Sequence, residues 1–293
     1  MRTLFFIILG MLLLAGCEKE IDVDMPPYEK KIVVEGSIDQ GGYAMVLLTE
    51  STGYFDPVDS NTYDSMMVKD ATVIVSDGID TDTLMQPSPM FPYYFGRKII
   101  GEVGKTYTLT IHRRGKTYTA KTTIPAPVPL DSIKFYPSPS DETDSAGFLW
   151  LYTVDPDTLG NNYRILTQTV GKDKMIFVHP RKSVFEDKYM NGQPIEFSIY
   201  HGSNPLRTNP SDTANGKSQY NFYLGETVIV KFCTLDKTHY LFWKSEEQQL
   251  QSDGNPFANP TTPISNIEGG LGIWGGYGVY LDTIVITKDI IKH

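Results

Sequence analysis

The chain has 293 residues, of which 40% are hydrophobic and 12% aromatic; that is enough apolar surface for a core and excludes wholesale disorder. Its formal net charge is −9 with no basic run, so it has no electrostatic footprint for nucleic acid and no polybasic patch for anionic lipid. The length fits two domains or one large β domain, and the two cysteines, Cys17 and Cys233, stand far apart.

Residues 1–16 read as a signal peptide. Met1-Arg-Thr is a short positive start, and Leu4 to Leu14 is an apolar run too short to span a bilayer as a helix. It ends in Leu14-Ala-Gly-Cys17, the bacterial lipoprotein pattern, with cleavage before Cys17 and acylation of that residue, palmitate included. This spacing favours a lipoprotein over an ordinary secretory signal or an uncleaved anchor. Several acyl chains on one residue hold a protein firmly to a membrane, at about 0.8 kcal/mol per buried CH₂. Residues 17–29, charged and containing Pro26-Pro27, read as a tether.

From residue 30 the pattern is β. Lys31–Ile38 and Tyr43–Glu50 flank Gly41-Gly42 like a hairpin. Ala71–Ser76 is closed by Asp77-Gly78, and Tyr93–Ile100 follows. Gly104–His112 alternates cleanly, with Tyr107, Leu109 and Ile111 on one face, and Arg114-Gly115 turns it into Lys116–Ile124. Short strands at this spacing predict an immunoglobulin-like β-sandwich over 30–125. Pro125-Ala-Pro-Val-Pro129 is a stiff spacer and marks a domain junction.

Residues 130–293 read as a larger β-rich domain carrying one docked helix near 236–252. Its strands are expected at Asp131–Tyr136, Gly147–Val154, Tyr163–Val170, Met175–Val178, Ile195–Tyr200, Thr227–Thr234 and Gly278–Ile286. In the helix, Asp236 or Thr238 can cap the N-terminus, and Tyr240, Trp243 and Leu250 form a stripe, flanked by Phe242, that docks on the sheet. A Pro- and Asn-rich loop, 255–263, leads into Ser265-Asn-Ile-Glu-Gly-Gly-Leu-Gly-Ile-Trp-Gly-Gly-Tyr277. Five glycines between 269 and 276 imply close packing, against the protein's own helix or against a partner.

No catalytic constellation is legible. The histidines form no HExxH or HxH pair, and there is no GxSxG elbow and no Walker loop. No metal and no cofactor is expected. Asp155-Pro-Asp-Thr-Leu-Gly-Asn161 starts like a calcium loop, but Leu159 and Leu166 stand where ligands are needed, so a turn held by Asx bonds is expected. Cys233, in an apolar run, reads as a small buried hydrophobe. Trp150, Trp243 and Trp274 could stack on sugars, yet each lies inside an apolar pattern that suits core packing.

The ordered set of motifs resembles a family of Bacteroidetes outer-membrane lipoproteins known as a domain of unknown function, of the DUF4249 type. It covers nearly the whole chain. Its marks are Cys17-Glu-Lys-Glu-Ile-Asp-Val-Asp24, Ile32-Val-Val-Glu-Gly36, Ala71-Thr-Val, and Gly101-Glu-Val-Gly-Lys-Thr-Tyr107. Asp155-Pro, Asn162-Tyr-Arg164, Asn191-Gly192 and Ser265-Asn-Ile-Glu-Gly-Gly-Leu-Gly272 complete it. Where the family pattern has a second aromatic after Tyr163, this chain has Arg164. The acidic residues after Cys17 resemble surface-export signals of such lipoproteins. The resemblance implies a lipid-anchored outer-membrane protein, its body on either the periplasmic or the cell-surface face, that partners a TonB-dependent transporter in nutrient uptake without catalysis. On this reading Asn266, Glu268 and Trp274 are the candidate partner or ligand contacts. A surface hydrolase with a dispersed site, or a structural or adhesive surface protein, are the alternatives.

Overall fold

The computed structural model describes residues 28–53, 65–88, 92–139, 141, 143, 145–174, 176–202, 218–252 and 262–288. The signal peptide, Cys17, the first part of the tether and most of the loop at 255–263 lie outside the described residues.

The protein is mainly β, with a helix docked on its sheet among the described residues. The first half holds β1 (Ile32–Asp39), β2 (Tyr43–Glu50), β3 (Thr72–Ser76), β4 (Thr81–Leu84), β5 (Tyr93–Ile100), β6 (Thr106–Arg113) and β7 (Lys116–Thr123). The turn between β6 and β7 places Arg114 at φ 49° and Gly115 at φ 74°, the left-handed pair that a tight hairpin requires. Strands β4-β3-β6-β7 form one sheet and β1-β2-β5 lie in another. The alternation read from the sequence delivers the core between them: Tyr107, Leu109 and Ile111 are buried with Val34, Val46 and Leu48. Each such aliphatic side chain contributes roughly 1.5–3 kcal/mol by leaving water. Asp82, on β4, points inward and accepts hydrogen bonds from the backbone N–H groups of Arg97, Lys98 and Ile99 at 2.7, 2.7 and 3.2 Å. That carboxylate occupies donors on the edge strand β5 which would otherwise invite another strand.

The second half holds β8 (Ser132–Pro137), β9 (Ala146–Val154), β10 (Asn162–Thr169), β11 (Val184–Glu186), β12 (Pro194–Ile199), β13 (Phe222–Tyr223), β14 (Thr227–Leu235), α1 (Lys237–Ser252) and β15 (Leu271–Val285). Of the expected strand at Met175–Val178, Met175 lies outside the described residues, and the rest holds one bridge, between Thr167 and Val178. The turn before it is held by Asp173, which accepts from Thr169 N at 2.6 Å, so the chain bends where a strand would have to extend.

Strand β15 is the spine. The seven-stranded sheet runs β11-β10-β14-β15-β1-β2-β5. From Leu271 to Tyr277, β15 lies parallel to β1; from Tyr277 to Val285 it lies antiparallel to β14. Strands from both sides of Pro125–Pro129 are thus hydrogen-bonded in one sheet. Trp274 of β15 belongs to the sandwich core, Ile284 to a second core with Phe135, Leu149 and Phe232, and Ile273 and Tyr277 to the layer beneath α1.

Helix α1 starts at Asp236, which caps it by accepting from His239 N at 2.8 Å. His239, Tyr240, Phe242, Trp243, Ser245 and Glu247 are buried. Leu250, expected in the stripe, is 58% exposed. Burial near the end of the helix goes instead to Glu247, whose Oε1 accepts from Ser183 N at 2.8 Å and Ser183 Oγ at 2.6 Å.

Candidate functional site

The glycine segment is a seam of close approaches within the chain. Gly272 has φ 104°, and a Cβ there would run into the backbone of Val34 on β1. At Gly275 a Cβ would fall well under 3.0 Å from three ring atoms of His239, so α1 lies directly on this strand. Thr122 Oγ accepts from Gly276 N at 2.7 Å and donates to the capping carboxylate of Asp236 at 2.6 Å. One hydroxyl therefore links β7, β15 and the start of α1.

The three residues expected to make contacts are placed differently from one another. Trp274 is fully buried and its Nε1 donates to Tyr107 O at 3.0 Å. Asn266 clamps it: its Oδ1 accepts from Trp274 N at 2.9 Å and its Nδ2 donates to Trp274 O at 2.7 Å. Glu268 is exposed, and its Oε2 accepts from Thr119 Oγ1 at 2.8 Å. Of the three, only Glu268 presents its side chain chiefly to solvent.

Beneath α1 lies an ionic cluster that sequence reasoning missed. Arg164 on β10 is 5% exposed. Its Nη1 donates to Tyr277 Oη at 2.6 Å, its guanidinium lies 3.3 Å from the centroid of the Trp243 ring, and its Nε has no acceptor among the described residues. Lys231 on β14, also buried, pairs with Asp39 at the end of β1 and sits 5.1 Å from the Tyr277 ring. Trp243 Nε1, Glu246 Oε2 and Asp39 Oδ1 are enclosed and likewise unpartnered among the described residues. Unpaired polar atoms cost free energy in an interior, so four of them around one pair of cations mark this cluster off from ordinary core. The signal available in the sequence was a charge within an apolar strand: Lys231 in Thr227–Leu235 and Arg164 after Tyr163.

A family model described as a domain of unknown function, DUF4249, matches residues 18–281. The chain belongs to that family. No curated protein matches it.

The electrostatics of this DUF4249 chain follow from burial. His239 is fully enclosed, and burial, with Arg164 adding to it, lowers its pKa to about 3, so the ring is neutral. Burial pushes the Cys233 thiol up to about 12, which keeps it protonated and unreactive. Burial also raises the Glu246 carboxyl above its ordinary range; Arg164 opposes that, and Glu247 and Glu35 add to it. Burial alone would lower Lys231, but the Asp39 carboxylate more than offsets it and holds the ammonium above its usual range. The cluster can therefore hold charge and donate or accept hydrogen bonds.

Elsewhere in the DUF4249 chain, His201 and Asp173 form a buried pair at 2.9 Å, with His201 Nδ1 2.5 Å from Gly202 O. Among the described residues no cluster of His, Cys, Asp or Glu is arranged to hold a metal ion, and no helix is long and apolar enough to cross a membrane. The Asp155–Asn161 segment is a turn: Asn161 Nδ2 donates to Thr158 O at 2.6 Å, and Asp187 Oδ2 accepts from Gly160 N and Asn161 N at 2.8 and 2.9 Å.

Proposed function

We propose that this protein is a lipid-anchored outer-membrane lipoprotein, acylated on Cys17, that serves as a non-catalytic accessory or ligand-binding partner of a TonB-dependent transporter. The observation that carries it is Leu14-Ala-Gly-Cys17 standing directly before the family-matched body, which begins at residue 18. Acyl chains hold the body at a membrane.

Co-purification tests the proposal. The chain is tagged at its C-terminus, the outer membrane is solubilised in mild detergent, and the bound proteins are identified by mass spectrometry. A TonB-dependent receptor recovered in stoichiometric amount is the expected result. A protein that fractionates with the membrane yet emerges without a partner refutes the accessory role, and loss of membrane association with Cys17 intact refutes the anchor.

A further inference from the structure

The outward face of the β8-β9-β12 sheet carries a row of aromatic side chains. On β9 the inward positions Leu149 and Leu151 are fully buried in the second core. The alternate positions, Phe148, Trp150 and Tyr152, face outward and are partly exposed. A sheet with one solvated face normally carries polar residues there.

Register places these rings in a grid. Phe148 pairs with Tyr136 of β8, and the Tyr200 ring, 44% exposed, lies 5.2 Å from Phe148 on the other side. Trp150 lies between Lys134 and Ser198, and Tyr152 between Ser132 and Glu196. Neighbouring rings are 5.9 to 6.2 Å apart from Tyr136 through Phe148 to Trp150. With strands about 4.8 Å apart and about 3.4 Å of rise per residue, the platform is roughly 10 Å wide and 14 Å long.

Cross-strand packing explains Tyr136 against Phe148. Trp150 packs against the same pair, edge-on to Tyr136 at 5.9 Å and tilted to Phe148 at 6.2 Å, but its directly opposite partners, Lys134 and Ser198, are polar, and its enclosed Nε1 has no acceptor among the described residues. The Tyr136 and Tyr152 hydroxyls meet each other at a long 3.4 Å, which leaves both able to bond elsewhere. The flanks of the aromatic column offer hydroxyl, ammonium and carboxylate groups; Lys134 Nζ lies 4.3 Å from the centroid of the Tyr152 ring, and Lys134 and Glu196 balance in charge.

We propose that this aromatic platform, centred on Trp150, is a binding site for a neutral oligosaccharide. The C–H faces of pyranose rings stack on aromatic rings, while their hydroxyls bond to the polar groups at either side. A patch without net charge on an acidic chain suits an uncharged ligand, and a row of half-buried rings ending in the exposed Tyr200 suits a linear one. The inference rests on the reading of this protein as a ligand-binding accessory, and it names the ligand class.

Affinity electrophoresis of the detergent-solubilised full chain tests it, in gels containing hydroxyethyl cellulose, xylan, galactomannan, laminarin or amylopectin. At least one polymer is expected to retard the protein. Trp150→Val keeps a strand-forming apolar residue without a ring and is expected to weaken that retardation tenfold or more; Trp150→Phe is expected to retain most of it. Tyr200→Ala, at the exposed end of the platform, is expected to weaken it as well and serves if Trp150→Val does not fold. No retardation by any of the five polymers overturns the proposal, as does retardation that folded Trp150→Val and Tyr200→Ala leave unchanged. A receptor that still co-purifies while no polymer binds overturns the carbohydrate site alone and leaves the accessory role standing.

Discussion

Replacing Gly275 with Ala tests the seam between α1 and β15. The backbone of Gly275 lies outside the left-handed region, so Ala suffers no conformational strain there. By itself the change would stabilise by about 0.4–1 kcal/mol, through a less flexible unfolded chain. Sterics run the other way. The new methyl would fall well under 3.0 Å from Cε1, Nε2 and Nδ1 of His239, where ordinary contact is 3.4–4 Å. The ring cannot simply retreat, because Tyr277 packs 4.5 Å from its centroid and Trp243 6.3 Å. Overpacking of this kind costs about 1–3 kcal/mol, occasionally more, and the rigid surroundings put this case at the upper end. Gly275→Ala should therefore destabilise by about 2–3 kcal/mol in urea unfolding. In a His239→Ala background the methyl enters the space that the ring has left, so the same change should be nearly neutral, a coupling of about 2 kcal/mol. An equal cost in both backgrounds, or a cost below about 0.5 kcal/mol in the parent, would refute the reasoning.

Three further outcomes follow from the same geometry. The folded pKa of His239 is depressed, so the stability linked to it is full above about pH 6.5 and is lost as pH falls toward about 3, at up to about 1.4 kcal/mol per pH unit. The stability difference between parent and His239→Gln should therefore shrink across that window, and a pH-independent difference contradicts it. Asp82→Ala leaves the N–H groups of Arg97, Lys98 and Ile99 without their acceptor and should cost about 2–3 kcal/mol in denaturant unfolding, with faster exchange of those amides; unchanged exchange would contradict it. Arg164→Met removes a buried cation that no carboxylate pairs with among the described residues, and keeps an apolar chain over Trp243. Stability should hold or rise by about 1 kcal/mol, and a loss above about 3 kcal/mol would show that the cation is structurally required.

Much of the fold was legible because it rests on local rules. Period-two alternation marked Tyr107, Leu109 and Ile111 as one face, Arg114-Gly115 marked a hairpin, and Asp236 or Thr238 marked a helix start, of which Asp236 is the cap. The pairing of β1 with β15 was not legible, because nothing local in Ile32–Asp39 names a parallel partner near the far end of the chain. Leu250 failed because helical spacing says which face a residue is on and not how far the covered surface extends. The glycines announced a close approach but not its target, which proved to be His239 and the backbone of β1. The three tryptophans looked alike in sequence; two are buried and one faces outward, a difference set by which face of a sheet is covered. Arg164 was noted as a departure from a pattern, and its meaning needed the helix that stacks on it.

Strand β15 is an interior spine, with its glycines facing the chain's own helix and strands. Native-state hydrogen exchange measures this most directly. The amides of Ile273, Gly275 and Gly276 should exchange only through global unfolding, with protection equal to the full unfolding free energy and unchanged when a partner binds. Rapid local exchange across 272–276, or protection that appears only with a partner present, would contradict it.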